Sequence, residues 1–532
     1  MPEINKKKEF ATAEFKGVNT QALRLAIQPN QQAWLENIQP IGSSNAKVVP
    51  AIKALPVQLT GTGSPSPYYA QGFNIIISGT ATDILMVADQ SGDLWAINLN
   101  TNAIYVLTFG GPLASKFKNT SCAQWKNERI LIVDNVNGLY DWDGTTITSA
   151  GGAPYTSAPS KGQCIATFSG RVWVSDNRTV YYSSADSYSD YGHGGSSSGG
   201  SFILEDETLH SSIQQLVSSS NFLYIFGIDS CNVISDVRAN AGVGALFTNT
   251  ALSTGIGTAF PMSVSTYYRS IWFASATGFY AMYGASARKE SDMLDGMYGD
   301  IINIANPSRI GDIPDISSGL VSLNNILCVA FLFKYNDPND GVRPLLALNF
   351  DGKWFFASQG ANTGDSAPIL IADCTVKGKN NLYAFDYNGT LYQLFVNEAE
   401  TVNYKWQTAL WDFEQPIMFK QVTKAGFGIY YSDTPSTVNV TIDTETGSSS
   451  TNTFNSGAGW TFYQDSPVSA PSTLITFVGT SAITWNSAGY NLLQKDVTNW
   501  GRYVGMTITG TSNGATFTVA LMEYNYRSQW GN

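Results

Sequence analysis

The chain has 532 residues, of which 43% are hydrophobic, 13% aromatic and only 13% charged, about half the usual quarter of charged side chains. Its 13 Trp, 27 Tyr and 27 Phe exclude intrinsic disorder, because that much apolar surface cannot stay solvated, and the length excludes a single small domain. The net charge of −11 is uneven, at +3 over residues 1–60, −12 over 61–400 and −2 over 401–532, which argues against tight binding to phosphate backbones through clustered cations.

Residues 1–60 open without a secretory signal, since Lys6-Lys7-Lys8 leads into Glu9-Phe10-Ala11-Thr12-Ala13-Glu14 with no apolar core segment. The sequence predicts an extended N-terminal arm here, with one short helix from Asn30 to Ile38. Over residues 61–400 a repeat takes over. Three segments superpose without gaps: CAQWKNERILIVD from Cys122, CIATFSGRVWVSD from Cys164 and CTVKGKNNLYAFD from Cys374, each with Asp twelve residues after Cys. A second phrase, Asp-x-x-Gly-x-Leu-aromatic, reads DQSGDLW from Asp89 and DYNGTLY from Asp386, with near-copies at Asp134 and Ser275. A glycine turn between β-branched or aromatic runs is a hairpin signal. Such hairpins fall near 89, 134, 176, 227, 275, about 330 and 386, a mean spacing of about 50.

A four-stranded sheet with its turns takes about 40–50 residues, so the period predicts a β-propeller of about seven blades, six or eight being possible. Within it, SYSDYGHGGSSSGGSF from Ser187 to Phe202 reads as a flexible interblade loop, with a contact loop as the alternative. After Glu400 the strands alternate apolar and polar residues, in STVNVTIDT, STLITFVG, YVGMTITGT and ATFTVALMEYNY. That pattern predicts a C-terminal antiparallel β-sandwich over 401–532. The expected fold class is all-β.

Motifs for chemistry are sparse. There is no G-x-x-x-x-G-K-[ST], H-E-x-x-H or EF-hand loop, so nucleotide and metal chemistry lack their usual support. The two histidines, His193 and His210, flank the Gly/Ser segment and read as surface residues. A literal G-x-S-x-G at Gly510-Thr511-Ser512-Asn513-Gly514 lacks the following helix of a nucleophile elbow and reads as a hairpin turn. Asp89, Asp134, Asp176 and Asp386 recur at equivalent positions, which favours carboxylates capping their own turns over a catalytic pair. The Asp box of sialidase-like propellers is not matched, since Gly falls three residues after Asp89. Five cysteines without C-x-x-C spacing read as reduced, buried packing groups. No catalytic residue, cofactor or metal ligand is nominated. The longest apolar run, Ile326 to Phe333, has eight residues and cannot span a bilayer.

Several phrases carry a family resemblance. Gly17-Val18-Asn19-Thr20, then Asn30 through Trp34-Leu35-Glu36-Asn37-Ile38-Gln39-Pro40, then Val48-Val49-Pro50 resemble the opening of tail nozzle proteins of short-tailed bacteriophages, also called tail tubular protein B or packaged-DNA stabilisation proteins. Leu139-Tyr140-Asp141-Trp142-Asp143-Gly144, Phe350-Asp351-Gly352-Lys353-Trp354 and the ending Gly501-Arg502-Tyr503-Val504 … Leu521-Met522-Glu523-Tyr524-Asn525-Tyr526 are similar to that family as well. The resemblance implies a structural virion protein, made in the host bacterial cytoplasm and assembled as a homohexameric ring. It implies contact with portal and adaptor proteins and with tail fibres, spikes or needles, around double-stranded DNA that passes without sequence-specific binding. An acidic lumen would let that polyanion slide. Two other readings stay open: a propeller glycosidase or other polysaccharide-active enzyme, and a carbohydrate-binding adhesion propeller that stacks sugars on aromatics such as Trp95 and Trp142. The bland reading of both tryptophans is packing between blades.

Overall fold

The structure, a computed structural model, describes residues 7–60, 65–107, 119–194, 196–205, 207–240, 244–307, 312–430, 436–445, 447–448, 452–456, 460–462, 483–485 and 490–527. It divides into two compact units. One takes Ile52–Gly352 and Ala357–Val396; the other takes the chain up to Ala51, Lys353–Phe356 and the chain from Asn397 on.

The larger unit is a β-propeller. Four-stranded antiparallel meanders cover residues 67–106, 121–149, 164–203, 215–254 and 265–289, and form blades 1 to 5. Blade 6 runs through the meander 316–350, and blade 7 through 370–397 with Ala51–Gln58 as its fourth strand. Seven blades match the period of the sequence. An early strand laid beside the last meander closes the circle, held there by backbone bonding of Leu59 to Gly389 at 3.1 Å. The first strand of blade 7 also packs on the first strand of blade 1. Closure removes the open sheet edges that so many apolar strands would otherwise present.

The blades interlock through apolar layers. Trp95 packs with Leu370 and Phe385 between blades 1 and 7, Phe226 meets Phe273 at 4.9 Å between blades 4 and 5, and Phe279 stacks on Phe331 at 4.2 Å between blades 5 and 6. Each such buried ring contributes about 2–3 kcal/mol of transfer free energy, and each ring pair about 0.5–1.5 kcal/mol more. The turns joining first to second strands have positive φ at both residues in Ser78-Gly79, Ser169-Gly170, Ser220-Asn221, Asn324-Asn325 and Lys377-Gly378. This is the backbone that two-residue hairpins need, supplied by small or amide residues except at Lys377.

Two expectations shift in register. The hairpin expected near 330 lies at Asp337–Gly341, because Ile326–Asp337 is one continuous twelve-residue strand. Cys122, Cys164 and Cys374 all sit on first strands, but opposite Ile132, Ser175 and Asn381, at different distances from the Asp that ends the second strand. The second strand of blade 7, Lys379–Phe385, is longer than Arg129–Asp134, so the gapless match does not give Cys374 an equivalent position.

The smaller unit is a sandwich of two mainly antiparallel sheets. One holds Ile38–Ile41, Asn45–Val48, Thr516–Arg527, Phe419–Tyr430 and Tyr490–Gly501, with Lys8–Thr12 also paired to Thr516–Arg527. The other includes Gln32–Glu36, Val402–Thr408, Val504–Ser512 and Ser436–Thr444. Trp406 of one sheet meets Phe517 of the other at 5.7 Å, with Phe15 against Trp406 at 5.0 Å. The N-terminal residues thus add strands to the C-terminal sandwich.

The helix expected from Asn30 to Ile38 is not formed. That stretch is two strands, Gln32–Glu36 and Ile38–Ile41, broken at Asn37 with φ 58°. Pairing of Gln32–Glu36 with Val402–Thr408 satisfies its backbone, which overrides a weak helical preference. The expected strand STLITFVG, residues 472–479, lies outside the described residues.

Candidate functional site: an axial channel and the carboxylates around it

The recurrent aspartates end the second strands of their blades and turn the chain into the third. Asp89 accepts the Asp93 N–H at 3.0 Å on one oxygen and the Trp95 indole N–H at 3.1 Å on the other. Asp134 accepts the Val136 and Asn137 N–H groups, both at 2.9 Å, and the Thr120 hydroxyl at 3.1 Å. Asp386 accepts the Thr390 N–H at 2.8 Å and the Tyr392 hydroxyl at 3.1 Å. Asp337 does the same for Asn339 in blade 6, at 2.9 Å. Asp176 differs: it faces Lys161 at 3.8 Å. Asp89, Asp134 and Asp386 are buried. A short acceptor that satisfies turn N–H groups explains why Asp recurs. In Asp89, Asp134 and Asp386 both carboxylate oxygens are engaged, so none is poised as an acid or base toward an outside molecule.

The first strands of all seven blades face one axial channel of about 370 Å³. Gln71, Gln124, Thr167, Gln215, Ser218 and Ser318 give its walls amides and hydroxyls, and Ser265 bonds Ser318 across the blade 5–6 junction at 2.7 Å. Among the described residues, Asp373 is the single charged residue of the lining. Burial pushes its carboxyl up to about 6, partly offset by bonds from the Leu320 N–H and its own. Removing a carboxylate from water disfavours its charged form. Glycoside hydrolysis uses two carboxylates about 5–9.5 Å apart, and the channel offers one. Its chemistry suits water and small polar solutes. A duplex whose major groove alone is about 12 Å wide does not fit it.

The other sequence candidates are dispersed. His193 bonds the Gly199 carbonyl at 3.3 Å, and His210 faces Asp229 at 3.3 Å on the surface. Ser512 is buried and accepts the Ala515 N–H at 3.0 Å; it ends one sandwich strand just before the chain crosses to the other sheet, so the turn is not a hairpin. All five thiols are buried and outside disulfides; burial pushes Cys122, Cys164, Cys328 and Cys374 up to about 12 and Cys231 higher. Among the described residues no group of His, Cys, Asp and Glu could hold a metal ion. No helix there is long and apolar enough to cross a membrane.

The Gly/Ser segment is tied into blade 3, where Arg171 donates to the Ser198 carbonyl at 2.8 Å and Tyr191 is buried. Trp95 and Trp142 are each 2% exposed, which removes them as sugar-stacking platforms. Asp373 escaped notice in the sequence, though its signal was there: a lone acid at an inward-facing position of the apolar run Leu370-Ile371-Ala372.

The fold and its channel define a seven-bladed β-propeller protein with an attached sandwich. No family model matches the chain, and no curated protein matches it. Among the solved structures that match, one described as "YCF48 bound to D1 peptide" is similar over 66% of this chain and 98% of its own, at 10% identity and a TM-score of 0.37.

Proposed function

We propose that the chain is a structural component of a short-tailed phage particle, a nozzle subunit that assembles as a ring of six around the DNA exit path. The observation that carries this reading is where the family-like phrases meet. Val18 donates to the Trp354 carbonyl at 2.8 Å, and a Cβ on Gly17, at φ 88°, would lie 2.9 Å from the Trp354 backbone. Asn37 donates to the Phe356 carbonyl at 2.8 Å through its backbone and to the Asn403 carbonyl at 2.7 Å through its side chain. Phrases far apart in the sequence thus form one backbone junction in the sandwich unit.

Two further points support it. The excess of acidic over basic residues would repel DNA phosphates from a lumen bounded by several copies. The narrow propeller channel supports a lumen between copies over one along a propeller axis. Among the described residues the channel offers the enzyme alternative one carboxylate, Asp373. The test is native mass measurement of the purified chain, alone and mixed with the portal and adaptor complexes of the same particle. Rings of six on the connector are expected. A chain that stays monomeric in that mixture overturns the proposal, as would glycan hydrolysis abolished by one carboxylate substitution.

A further inference from the structure

We infer that the cleft between blades 5 and 6 is a saccharide-binding site, a function separate from ring assembly and standing without it. The cleft encloses about 640 Å³ at the edge of the propeller, and its walls carry Tyr268, Tyr283, Trp272, Arg288, Asn349 and Asp351. Three observations point to a ligand of this class.

The first is a residue out of place. The equivalent turns of the other blades carry Ser-Gly, Lys-Asn, Ser-Asn, Asn-Asn or Lys-Gly. In blade 5 the turn is Tyr268-Arg269, and Tyr268 has φ 52° with 72% of its surface exposed. A bulky side chain in the left-handed region costs about 1–2 kcal/mol, and strain of that kind concentrates at functional sites. Apolar packing does not compensate for it, because the ring faces outward, held edge-on by Tyr267 at 4.6 Å. Tyr283, 48% exposed, adds a second ring to the same cleft.

The second is an unused donor. Asn349 is only 1% exposed and lines the cleft, and its amide nitrogen has no hydrogen-bond partner. A buried amide without a partner costs about 1–3 kcal/mol, which a ligand hydroxyl can recover. The third is the pairing of charge and ring. Glu290 accepts from Arg288 at 3.1 Å and from the Tyr283 hydroxyl at 3.3 Å, leaving a polar wall beside the aromatic one. Pyranose rings present a C–H face to aromatics and a rim of hydroxyls to amides, guanidinium and carboxylates. Glu290 and Asp351 against one paired arginine disfavour polyanions, so the ligand class is a neutral hexose or N-acetylhexosamine oligosaccharide. The groove between blades 3 and 4 is edged at the same turns by Ser169, Ser220 and Asn221. Propeller geometry alone therefore does not require tyrosine.

The experiment is calorimetric titration and saturation-transfer NMR of the full chain with maltohexaose and with the hexamer of N-acetylglucosamine, which separates glucan from amino-sugar recognition. Binding of at least one in the range of about 0.1–1 mM is expected. Tyr268→Phe keeps it, while Tyr268→Ala and Tyr268→Gly weaken it by about tenfold or more, the size of one aromatic contact. Tyr268→Gly relieves the turn and raises the melting temperature, so lost binding is not lost folding. Asn349→Leu also weakens binding. If neither oligosaccharide binds at about 10 mM, or if the Ala and Gly variants bind like the parent, the inference is overturned.

Discussion

Replacing Asp134 by alanine isolates the structural role assigned to the recurrent carboxylates. The substitution removes the acceptor of the Val136 and Asn137 N–H groups and of the Thr120 hydroxyl, which in turn lies 2.9 Å from the Tyr68 hydroxyl. Bonds to a charged acceptor are worth about 1.5–3 kcal/mol each, and the exposed end of the turn can regain water for some of them. A net loss of about 3–5 kcal/mol follows. The propeller unit has about 340 residues, giving an unfolding entropy of about 0.7 kcal/mol/K, so its melting temperature should fall by about 4–7 °C. Differential scanning calorimetry of Asp134→Ala reads this directly. Asp229→Ala is the control, because its partner His210 and its own side chain are surface groups, and such pairs contribute about 0–1 kcal/mol. A shift for Asp134→Ala no larger than the control's would refute the capping account and return the repeated aspartates to candidacy for chemistry.

Other expectations follow from the same geometry. Asp373 has a folded value raised to about 6 from 3.8, so its contribution is full below about pH 4 and lost as pH rises through 6. Asp373→Asn should therefore be more stable than the parent at pH 7.5, by on the order of 1–2 kcal/mol, with the gap closing by about pH 4 in urea titrations. A constant gap across that range would contradict it. Arg24→Ala should cost about 3–5 kcal/mol in the sandwich transition, because Arg24 pairs with buried Asp443 at 2.7 Å and donates to the Thr408 and Met506 carbonyls; an unchanged midpoint refutes this. Gly17→Ala should destabilise by more than about 1 kcal/mol, combining positive φ with a backbone clash. Native protein should resist thiol labelling and react at all five cysteines only when unfolded; rapid native labelling of any one would show that its burial is wrong.

Much of the propeller was legible because its signals are local. Strand ends at Asp89, Asp134 and Asp386 are marked by one carboxylate and a glycine-bearing turn, and at Asp176 by the carboxylate with Asn177 in place of glycine, all at blade spacing. Blade 6 was misplaced by about ten residues because its long second strand hides the turn behind an unbroken apolar run. The segment Gln32–Glu36 was misread because its partner, Val402–Thr408, lies some 370 residues away, and no local pattern reports such a pairing. The same distance hid the N-terminal share of the sandwich. Trp95 and Trp142 had correct alternatives, and burial chose packing over display. The unusual residues of the blade 5–6 cleft could not be recognised beforehand: Tyr268 differs from its counterparts only once the seven first turns are aligned by register.

Electron cryomicroscopy of the intact phage particle tests the central proposal most directly. The account predicts six copies of a seven-bladed propeller with its sandwich, arranged as a ring at the tail end of the connector, with the DNA path between copies. A particle whose tail holds no such ring, or a chain absent from the purified particle, would contradict it.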